Sequence, residues 1–168
     1  MTAPNAEFTP VYLVLDGEMI LNAPVKESWP HVMNYASWQD YSIVRHLSGE
    51  PGKEGELVML KKEDLASFPP FYARTIKLEP ECRVIWKTYA EDDGRSCGFF
   101  GIVEFRISEL ERKTRFSYSV VYEFPVSSHD EGEIALLRRQ RYEEYEAMLS
   151  QVLPKLKRLV EASRLAPL

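Results

Sequence analysis

The sequence predicts an α+β domain in which a curved antiparallel sheet of about seven strands is covered by one long carboxy-terminal helix. The helix is indicated by a side-chain stripe that recurs at steps of three and four, the period of an amphipathic helix. This stripe consists of Ile134, Leu137, Arg141, Tyr145, Met148, Val152, Leu156 and Leu159. The preceding stretch of about one hundred residues instead alternates short apolar runs with turns rich in glycine, proline and aspartate, which is typical of strands. A helix of about thirty residues extends roughly 45 Å, so its stripe must lie across a broad surface.

The composition is that of one ordinary globular domain. The chain has 168 residues, of which 45% are hydrophobic and 28% charged, and no apolar run is long enough to span a membrane. We expect a single domain over residues 1–168, with residues 1–9 as a flexible leader. The formal net charge of −5 argues against a nucleic-acid backbone or an anionic membrane surface as the main partner. Residues 1–7 lack a secretory signal, so we expect a cytoplasmic protein. We also expect a monomer or homodimer, without stable membrane insertion.

The sequence contains no recognised catalytic or metal-binding motif. Two cysteines and three histidines are too few for a disulfide framework or a metal cluster. There is no nucleophile motif, phosphate-cradling glycine loop, nucleotide fingerprint or zinc spacing. We therefore expect no metal and no cofactor, and any catalysis would consist of acid–base chemistry with shaping of the substrate in a pocket.

The strands and short helices follow one another with clear breaks. Residues 11–21 are apolar enough for a first strand, and Asn22, Ala23 and Pro24 end it. A short helix is predicted next over residues 25–34, and residues 35–41 form either a second short helix or a tight connection. The further strands are predicted at residues 42–47, 56–62, 72–78, 83–89, 99–107 and 115–124. The turn before the second of these six is built around Gly49, Pro51, Gly52 and Gly55.

The last two strands alternate between an apolar and a polar face. In the final strand Phe116, Tyr118, Val120, Tyr122 and Phe124 share one face. Such one-sided strands belong to an antiparallel sheet with a solvated outer face.

The terminal helix is signalled at both ends. Ser128 and Glu131 have the spacing of a capping box, and Lys155, Lys157 and Arg158 lie near the negative end of the helix dipole. Pro154 lies inside the pattern, so we expect a bend there.

Residues 20–41 read ILNAPVKESWPHVMNYASWQDY. This segment resembles the opening of the SRPBCC superfamily, the START-like or helix-grip proteins that include polyketide cyclases. The match consists of Ala23-Pro24, Trp29 and Trp38. The glycine turn, the Leu78-Glu79-Pro80 turn and the terminal helix also fall where that pattern expects them. The resemblance implies a helix-grip fold, in which the sheet curves around the terminal helix and leaves a deep, mostly apolar internal cavity.

If the inward faces line such a cavity, they supply both apolar walls and polar groups. The residues that we expect to bind a ligand are Tyr72, Arg74, Trp86, Phe99, Phe116, Tyr118, Tyr122, Arg141, Tyr145, Met148 and Leu149, and Tyr142 is expected to point inward with them. Buried phenols and guanidinium groups need polar partners, which a ligand oxygen would supply. The tyrosines could equally fill the core, and Arg141 could reach solvent along its aliphatic stem.

Three residues are candidates for catalysis: Arg74, Tyr118 and His129. Arg74 is the strongest of these candidates, because burying an unpaired guanidinium group costs free energy. It could instead pair with Glu63 or Asp64 or lie at the rim, and His129 could be an exposed neighbour of the helix cap.

The expected function is the binding of one small hydrophobic or aromatic molecule, such as a lipid, polyketide or isoprenoid. The alternative is a polyketide cyclase or dehydratase with acid–base residues in the same cavity, in which Arg74 and a tyrosine stabilise an enolate. A third possibility, an interaction or co-chaperone domain, would need an exposed apolar patch. The loop at residues 64–70 is either a gate over the cavity or a plain rigid turn.

Overall fold

The computed structural model of the chain describes residues 9–62, 70–89 and 100–165. Its elements are β1 (Thr9–Leu21), α1 (Val25–Met33), α2 (Tyr35–Gln39), β2 (Tyr41–Ser48), β3 (Leu57–Lys62), β4 (Phe71–Glu79), β5 (Arg83–Tyr89), β6 (Phe100–Leu110), β7 (Lys113–Val126) and α3 (Glu131–Leu165). The predicted order of elements is confirmed, and the predicted ends differ from the observed ones by at most three residues.

The seven strands form one antiparallel sheet in the order β1-β7-β6-β5-β4-β3-β2. Strand β1 pairs along its whole length with β7, from Thr9 opposite Val126 to Leu21 opposite Thr114. Strands β1 and β2 therefore lie at opposite edges, and α1 and α2 connect one edge to the other.

The predicted glycine turn joins β2 to β3. Gly49, Gly52 and Gly55 all have positive φ angles, of 84°, 71° and 91°. Glycine adopts this region without the steric cost that a side chain would incur. At Gly49 an added Cβ would also lie 2.7 Å from the Cα of Glu56, so the turn has no room for a side chain there.

One end of the inner sheet face is packed solidly against the carboxy-terminal half of α3. Val152, Leu156 and Val160 of α3 are buried in one cluster with residues of the sheet and of α1 and α2. Trp38 of α2 lies in this cluster, with its ring 5.4 Å from that of Phe105 and 6.2 Å from that of Phe116. The core therefore occupies only part of the space between α3 and the sheet.

Helix α3 is capped by Asp130 and not, as the sequence suggested, by Ser128. The Asp130 carboxylate accepts a hydrogen bond of 2.8 Å from the backbone N–H of Glu133, and the Ser128 hydroxyl accepts one of 3.1 Å from the N–H of Asp130. The capping-box spacing thus recurs two residues later, as Asp130 and Glu133. Helix α3 continues through Pro154 to Leu165.

None of the helices in the described part of the chain combines the length and the apolar content needed to cross a bilayer.

Candidate functional site

A cavity of about 380 Å³ lies between the first half of α3 and the inner face of the sheet. Its lining residues are Tyr35, Gln39, Tyr41, Leu60, Lys62, Phe71, Ala73, Trp86, Thr88, Val103, Tyr122, Arg141, Glu144, Tyr145 and Met148. The cavity lies beside the part of α3 that the core does not bury, because Tyr145 and Met148 are only half-buried whereas Val152 is 3% exposed. Arg141 and Glu144 are exposed, so the cavity reaches the surface beside them.

Aromatic rings form much of the cavity wall. The rings of Tyr122 and Tyr145 are stacked with centroids 4.5 Å apart and an interplanar angle of 20°. The ring of Tyr35 lies 4.8 Å from that of Trp86. Flat, broad surfaces of this kind favour contact with a planar apolar molecule.

The position of the Tyr122 ring depends on a glycine in the neighbouring strand. Tyr122 of β7 pairs directly with Gly101 of β6. An added Cβ at Gly101 would lie 2.6 Å from Cδ1 of Tyr122 and 2.6 Å from Oγ1 of Thr88. The missing side chain of Gly101 therefore lets the Tyr122 ring lie against the sheet, where it stacks on Tyr145.

A second glycine places Tyr118 elsewhere. Tyr118 pairs with Gly17 of β1, and an added Cβ there would lie 2.2 Å from the phenol oxygen of Tyr118. Tyr118 and Tyr122 share one face of β7, yet the first lies over β1 and the second over β6. Only Tyr122 lines the cavity.

The cavity phenols are held in the neutral form. Burial raises the pKa of Tyr41 to about 12 and raises the pKa of Tyr122 well above its usual value. Burial likewise raises the pKa of Tyr35 and of Tyr145. The nearby hydroxyls of Tyr145 and Tyr41 add to the rise in the pKa of Tyr122. At neutral pH these groups are therefore hydrogen-bond donors and not bases.

The polar groups of the lining are concentrated where α2, β2 and β3 meet. Tyr35 and Gln39 come from α2, Tyr41 from β2 and Lys62 from β3, and Tyr41 pairs directly with Lys62 across the two strands. Within the described residues, none of these four side chains has a hydrogen-bond or ion-pair partner. Their donors are therefore available to a molecule in the cavity.

On the opposite wall the charged groups satisfy each other. The guanidinium of Arg141 donates a hydrogen bond of 2.8 Å to the carboxylate of Glu144, and both side chains are more than half exposed, at 56% and 62%. The hydroxyl of Thr88 donates a bond of 3.4 Å to the carbonyl of Gly101. Among the described residues, the parts of the cavity formed by α3 and β5 thus offer fewer free donors than the part formed by α2, β2 and β3.

Comparison with known proteins finds similarity in structure. No sequence family and no curated protein matches the chain. A Staphylococcus aureus protein of unknown function aligns with a TM-score of 0.70 and 12% identity, covering 96% of this chain and 100% of that one. The di-domain ARO/CYC protein StfQ of the steffimycin biosynthetic pathway aligns with a TM-score of 0.68 and 9% identity, covering 92% and 52%. Norcoclaurine synthase from Thalictrum flavum aligns with a TM-score of 0.60 and 12% identity, covering 91% and 88%.

The chain has the helix-grip fold. Identities this low establish the fold and leave the chemistry to be argued from the residues of this chain. The space between terminal helix and sheet, which the resemblance implied, is present as the helix-grip cavity.

The structure places five of the residues singled out in the sequence at the helix-grip cavity. These are Trp86, Tyr122, Arg141, Tyr145 and Met148. Four of them, Tyr122 of β7 and Arg141, Tyr145 and Met148 of α3, belong to elements whose inward face was predicted from periodicity. The side chain of Arg141 combines both expectations, since it lines the cavity while its guanidinium reaches solvent.

The expected inward orientation of Tyr72 and Arg74 is wrong. In β4 the buried residues are Phe71, Ala73 and Thr75, and Arg74 is exposed on the outer face. Tyr72 is on that outer face too, where its ring stacks on Tyr89 with centroids 5.3 Å apart.

A β-bulge explains the error. The pairing of β4 with β5 shifts register between Thr75 and Lys77. Leu78 packs against the main core cluster, so alternation counted back from Leu78 assigns the even-numbered residues to the inside. The extra residue at the bulge reverses that assignment for the first half of the strand. Arg74 is therefore not a buried guanidinium, and its proposed catalytic role has no support from its position.

The remaining candidates lie in other parts of the fold. Phe116 is fully buried in the core and Leu149 packs against it, so both support the cavity without lining it. Tyr142, expected to point inward, is 41% exposed. Exposed His129 is joined to Thr9 by a hydrogen bond of 3.1 Å between Nδ1 and Oγ1, at the junction of β7 and α3.

Two predictions fall outside the residues that the structure describes. Phe99 precedes the described part of β6, and residues 63–69 include almost all of the loop expected to act as a gate or a rigid turn.

Sequence reasoning missed the polar end of the cavity. Tyr35, Gln39 and Tyr41 lie where a short helix turns directly into a strand, a stretch that was predicted as a short helix or a tight connection and not as part of the site. Asp40 makes this turn in the left-handed region, with φ 58°, and it forms an ion pair with Lys155 of α3. Neither the turn nor the ion pair has a signature in local periodicity.

Proposed function

We propose that this protein binds one small, planar, hydrophobic molecule in the helix-grip cavity. The observation that carries the proposal is a cavity of about 380 Å³ walled by stacked aromatic rings between α3 and the sheet. Cavities of roughly 300 to 1,000 Å³ with apolar walls and a few polar groups are typical of small-molecule sites. The volume lies at the small end of that range, which favours a single compact ligand.

The structural neighbours are compatible with an aromatic ligand. The norcoclaurine synthase structure contains dopamine and hydroxybenzaldehyde, both of which are aromatic molecules. The likeness to that protein concerns the fold alone, and in this chain the contacts with an aromatic ligand would come from its own rings, Trp86 and Tyr122 among them.

A cyclase or dehydratase reaction in the same cavity is the second candidate. It is favoured by the phenols of Tyr41, Tyr122 and Tyr145, which could donate to an enolate oxygen. Burial raises the pKa of Tyr122, and the nearby Tyr145 and Tyr41 add to that rise, so the three groups lie close together. Binding is preferred because these phenols are protonated at neutral pH, and because Glu144, the carboxylate of the described lining, is paired with Arg141. A proton acceptor for catalysis is thus not evident among the described lining residues.

Fluorescence titration with N-phenyl-1-naphthylamine, a neutral aromatic probe, tests the binding proposal. We expect saturable fluorescence enhancement at one probe per chain. Ala73→Leu fills space in the cavity and should abolish or strongly weaken binding. Arg74→Leu adds the same side chain to the outer face of the same strand and should leave binding unchanged.

A second pair of variants, in α3, tests the same proposal if Ala73→Leu fails to fold. Met148→Trp places a large ring in the cavity from the helix, and Ala147→Trp places the same ring on the exposed side of the same turn. Binding that survives both Ala73→Leu and Met148→Trp in folded protein would overturn the proposal. The cyclase alternative is supported if the wild type converts a linear poly-β-ketone to a ring and Tyr122→Phe does not.

A further inference from the structure

One end of the helix-grip cavity brings a lysine and a tyrosine together in the same wall. Lys62 lies directly opposite Tyr41 in the pairing of β2 with β3, and both line the cavity. Directly opposed residues have Cβ atoms about 4.5 to 5.5 Å apart on the same face of a sheet. An ammonium group and a phenol hydroxyl are therefore carried side by side at the same wall, with the amide of Gln39 two residues before Tyr41.

The ammonium of Lys62 has no counter-ion within the described residues. Among the described residues, the acidic groups of this region have partners of their own. Asp40, next to Tyr41, pairs with Lys155, and Glu144 of the cavity lining pairs with Arg141. A cation beside an apolar wall and without a partner is a site for an anionic ligand group.

The charge balance of the lining sets the charge of that group. Of the charged lining residues that the structure describes, Lys62 and Arg141 are positive and Glu144 is negative, which leaves one positive charge. The chain as a whole has a formal net charge of −5, so this local excess runs against the composition. One positive charge balances a single negative charge, as on a carboxylate, better than it balances a doubly charged phosphate monoester.

The apolar remainder of the cavity adjoins the charged end. Tyr35 and Tyr41 pack against the cluster of Val58, Leu60, Phe71 and Ala73. The ring of Tyr41 meets that of Phe71 edge to face, with centroids 5.2 Å apart. A ligand whose anionic group meets Lys62 and Tyr41 would thus lay its body against aromatic and aliphatic side chains.

We infer that the ligand is a hydrophobic monocarboxylate with a planar body, and that Lys62 and Tyr41 bind its carboxylate. The inference rests on the proposed binding function and adds the chemical class of the ligand and its orientation. Lys62 supplies a charge-assisted hydrogen bond, Tyr41 donates a second bond, and Gln39 has an amide N–H in reach of the same end of the cavity.

Competition against bound N-phenyl-1-naphthylamine with 2-naphthoic acid and 2-naphthamide at neutral pH tests the inference. The two competitors share shape and differ in charge. We expect the acid to bind about tenfold more tightly than the amide, which corresponds to one hydrogen bond to a charged group. Equal affinities would overturn the carboxylate site while bound N-phenyl-1-naphthylamine still upholds the proposed function. Failure of all three probes to bind would overturn both.

Variants at Lys62 separate charge from packing. Lys62→Met should remove the tenfold preference for the acid and leave the amide unchanged, and Lys62→Arg should retain the preference. Lys61→Met is the matched control, because Lys61 is exposed and adjacent in β3 and does not line the cavity. Equal loss of acid and amide binding in Lys62→Met would show that Lys62 acts by packing, which contradicts the inference.

Two further measurements test whether the Tyr41 hydroxyl donates to the ligand and whether the anionic group is a carboxylate or a phosphate. Tyr41→Phe should weaken binding of the acid by about threefold or more, since it removes one donor and keeps the ring. An unchanged acid affinity would remove Tyr41 from the site. Tighter binding of 2-naphthyl phosphate than of 2-naphthoic acid would overturn the choice of a carboxylate.

Discussion

Tyr122 of β7 lies against Gly101 of β6, with its Cδ1 atom 2.6 Å from where a Cβ on Gly101 would be. The residues are direct partners in the sheet, so the ring occupies the space that a side chain at Gly101 would take. The same ring stacks on Tyr145 of α3 at 4.5 Å and thereby joins the sheet to the helix across the cavity. The shape of the cavity therefore depends on the absence of one methyl group.

Gly101→Ala should damage both stability and binding. The added methyl collides with Tyr122 and with Thr88, and overpacking of this kind costs about 1 to 3 kcal/mol. We expect a lower free energy of unfolding in urea and weaker binding of N-phenyl-1-naphthylamine. In the background of Tyr122→Leu the added cost should be smaller, because part of the collision is relieved. An equal cost in both backgrounds would contradict the proposed contact.

Gly17→Ala should damage stability but not binding. Its added methyl would lie 2.2 Å from the phenol oxygen of Tyr118, which does not line the cavity. We expect a loss of about 1 to 3 kcal/mol in the free energy of unfolding, with an unchanged Kd for the probe in the folded protein. A weakened Kd would indicate that Tyr118 belongs to the binding site after all.

Stability should fall as the pH rises above about 10. The pKa of Tyr122 is raised by burial, so below about pH 10 the phenol is protonated in both folded and unfolded chains and its contribution is complete. At higher pH the unfolded chain ionises first, and each such phenol removes about 1.4 kcal/mol of stability per pH unit. For Tyr41 this loss ends near its folded-state pKa of about 12.

Urea denaturation at a series of pH values between about 9 and 11 measures this slope. Tyr122→Phe should show a shallower decline than the wild type, because it removes one of the buried phenols. Tyr142→Phe, which removes an exposed phenol of α3, is the control and should follow the wild type. Identical slopes for wild type and Tyr122→Phe would contradict the burial of this hydroxyl.

The ion pair between Asp40 and Lys155 should hold the polar end of the cavity in place. Both groups are partly exposed, at 26% and 36%, so Lys155→Met should cost no more than about 1 kcal/mol of stability. Its larger effect should be on binding of 2-naphthoic acid, because Asp40 lies between Gln39 and Tyr41. Lys157→Met, on the exposed side of α3, should change neither quantity. An unchanged acid affinity in Lys155→Met would show that the ion pair does not position these residues.

The architecture could be predicted from the sequence because each element carries its own period and its own breaks. The α3 stripe led to Tyr145 and Met148, and the alternation of β7 led to Tyr122. In β7, and in α3 apart from the exposed Arg141 and Tyr142, burial follows the period, so local pattern is sufficient to assign the inward face.

The parts of the site that could not be predicted depend on contacts between distant segments. The bulge after Thr75 reverses the face of β4 and moves Arg74 to the outside, yet a bulge has no distinctive residue here. Gly17 and Gly101 decide where two tyrosines of β7 lie, but this is visible only once the strand register is known. Lys62 resembles an ordinary strand-end lysine until the pairing of β2 with β3 places it opposite Tyr41 in the cavity wall, where no described residue supplies a counter-ion.

Nuclear Overhauser measurements on methyl-labelled protein with bound 2-naphthoic acid test the central claim most directly. The cavity account predicts contacts from the naphthalene protons to the methyl groups of Ala73, Val103 and Met148, all of which line the cavity. Contacts instead to Val14, which is 53% exposed on the outer face of β1, would place the ligand outside the sheet and contradict the account.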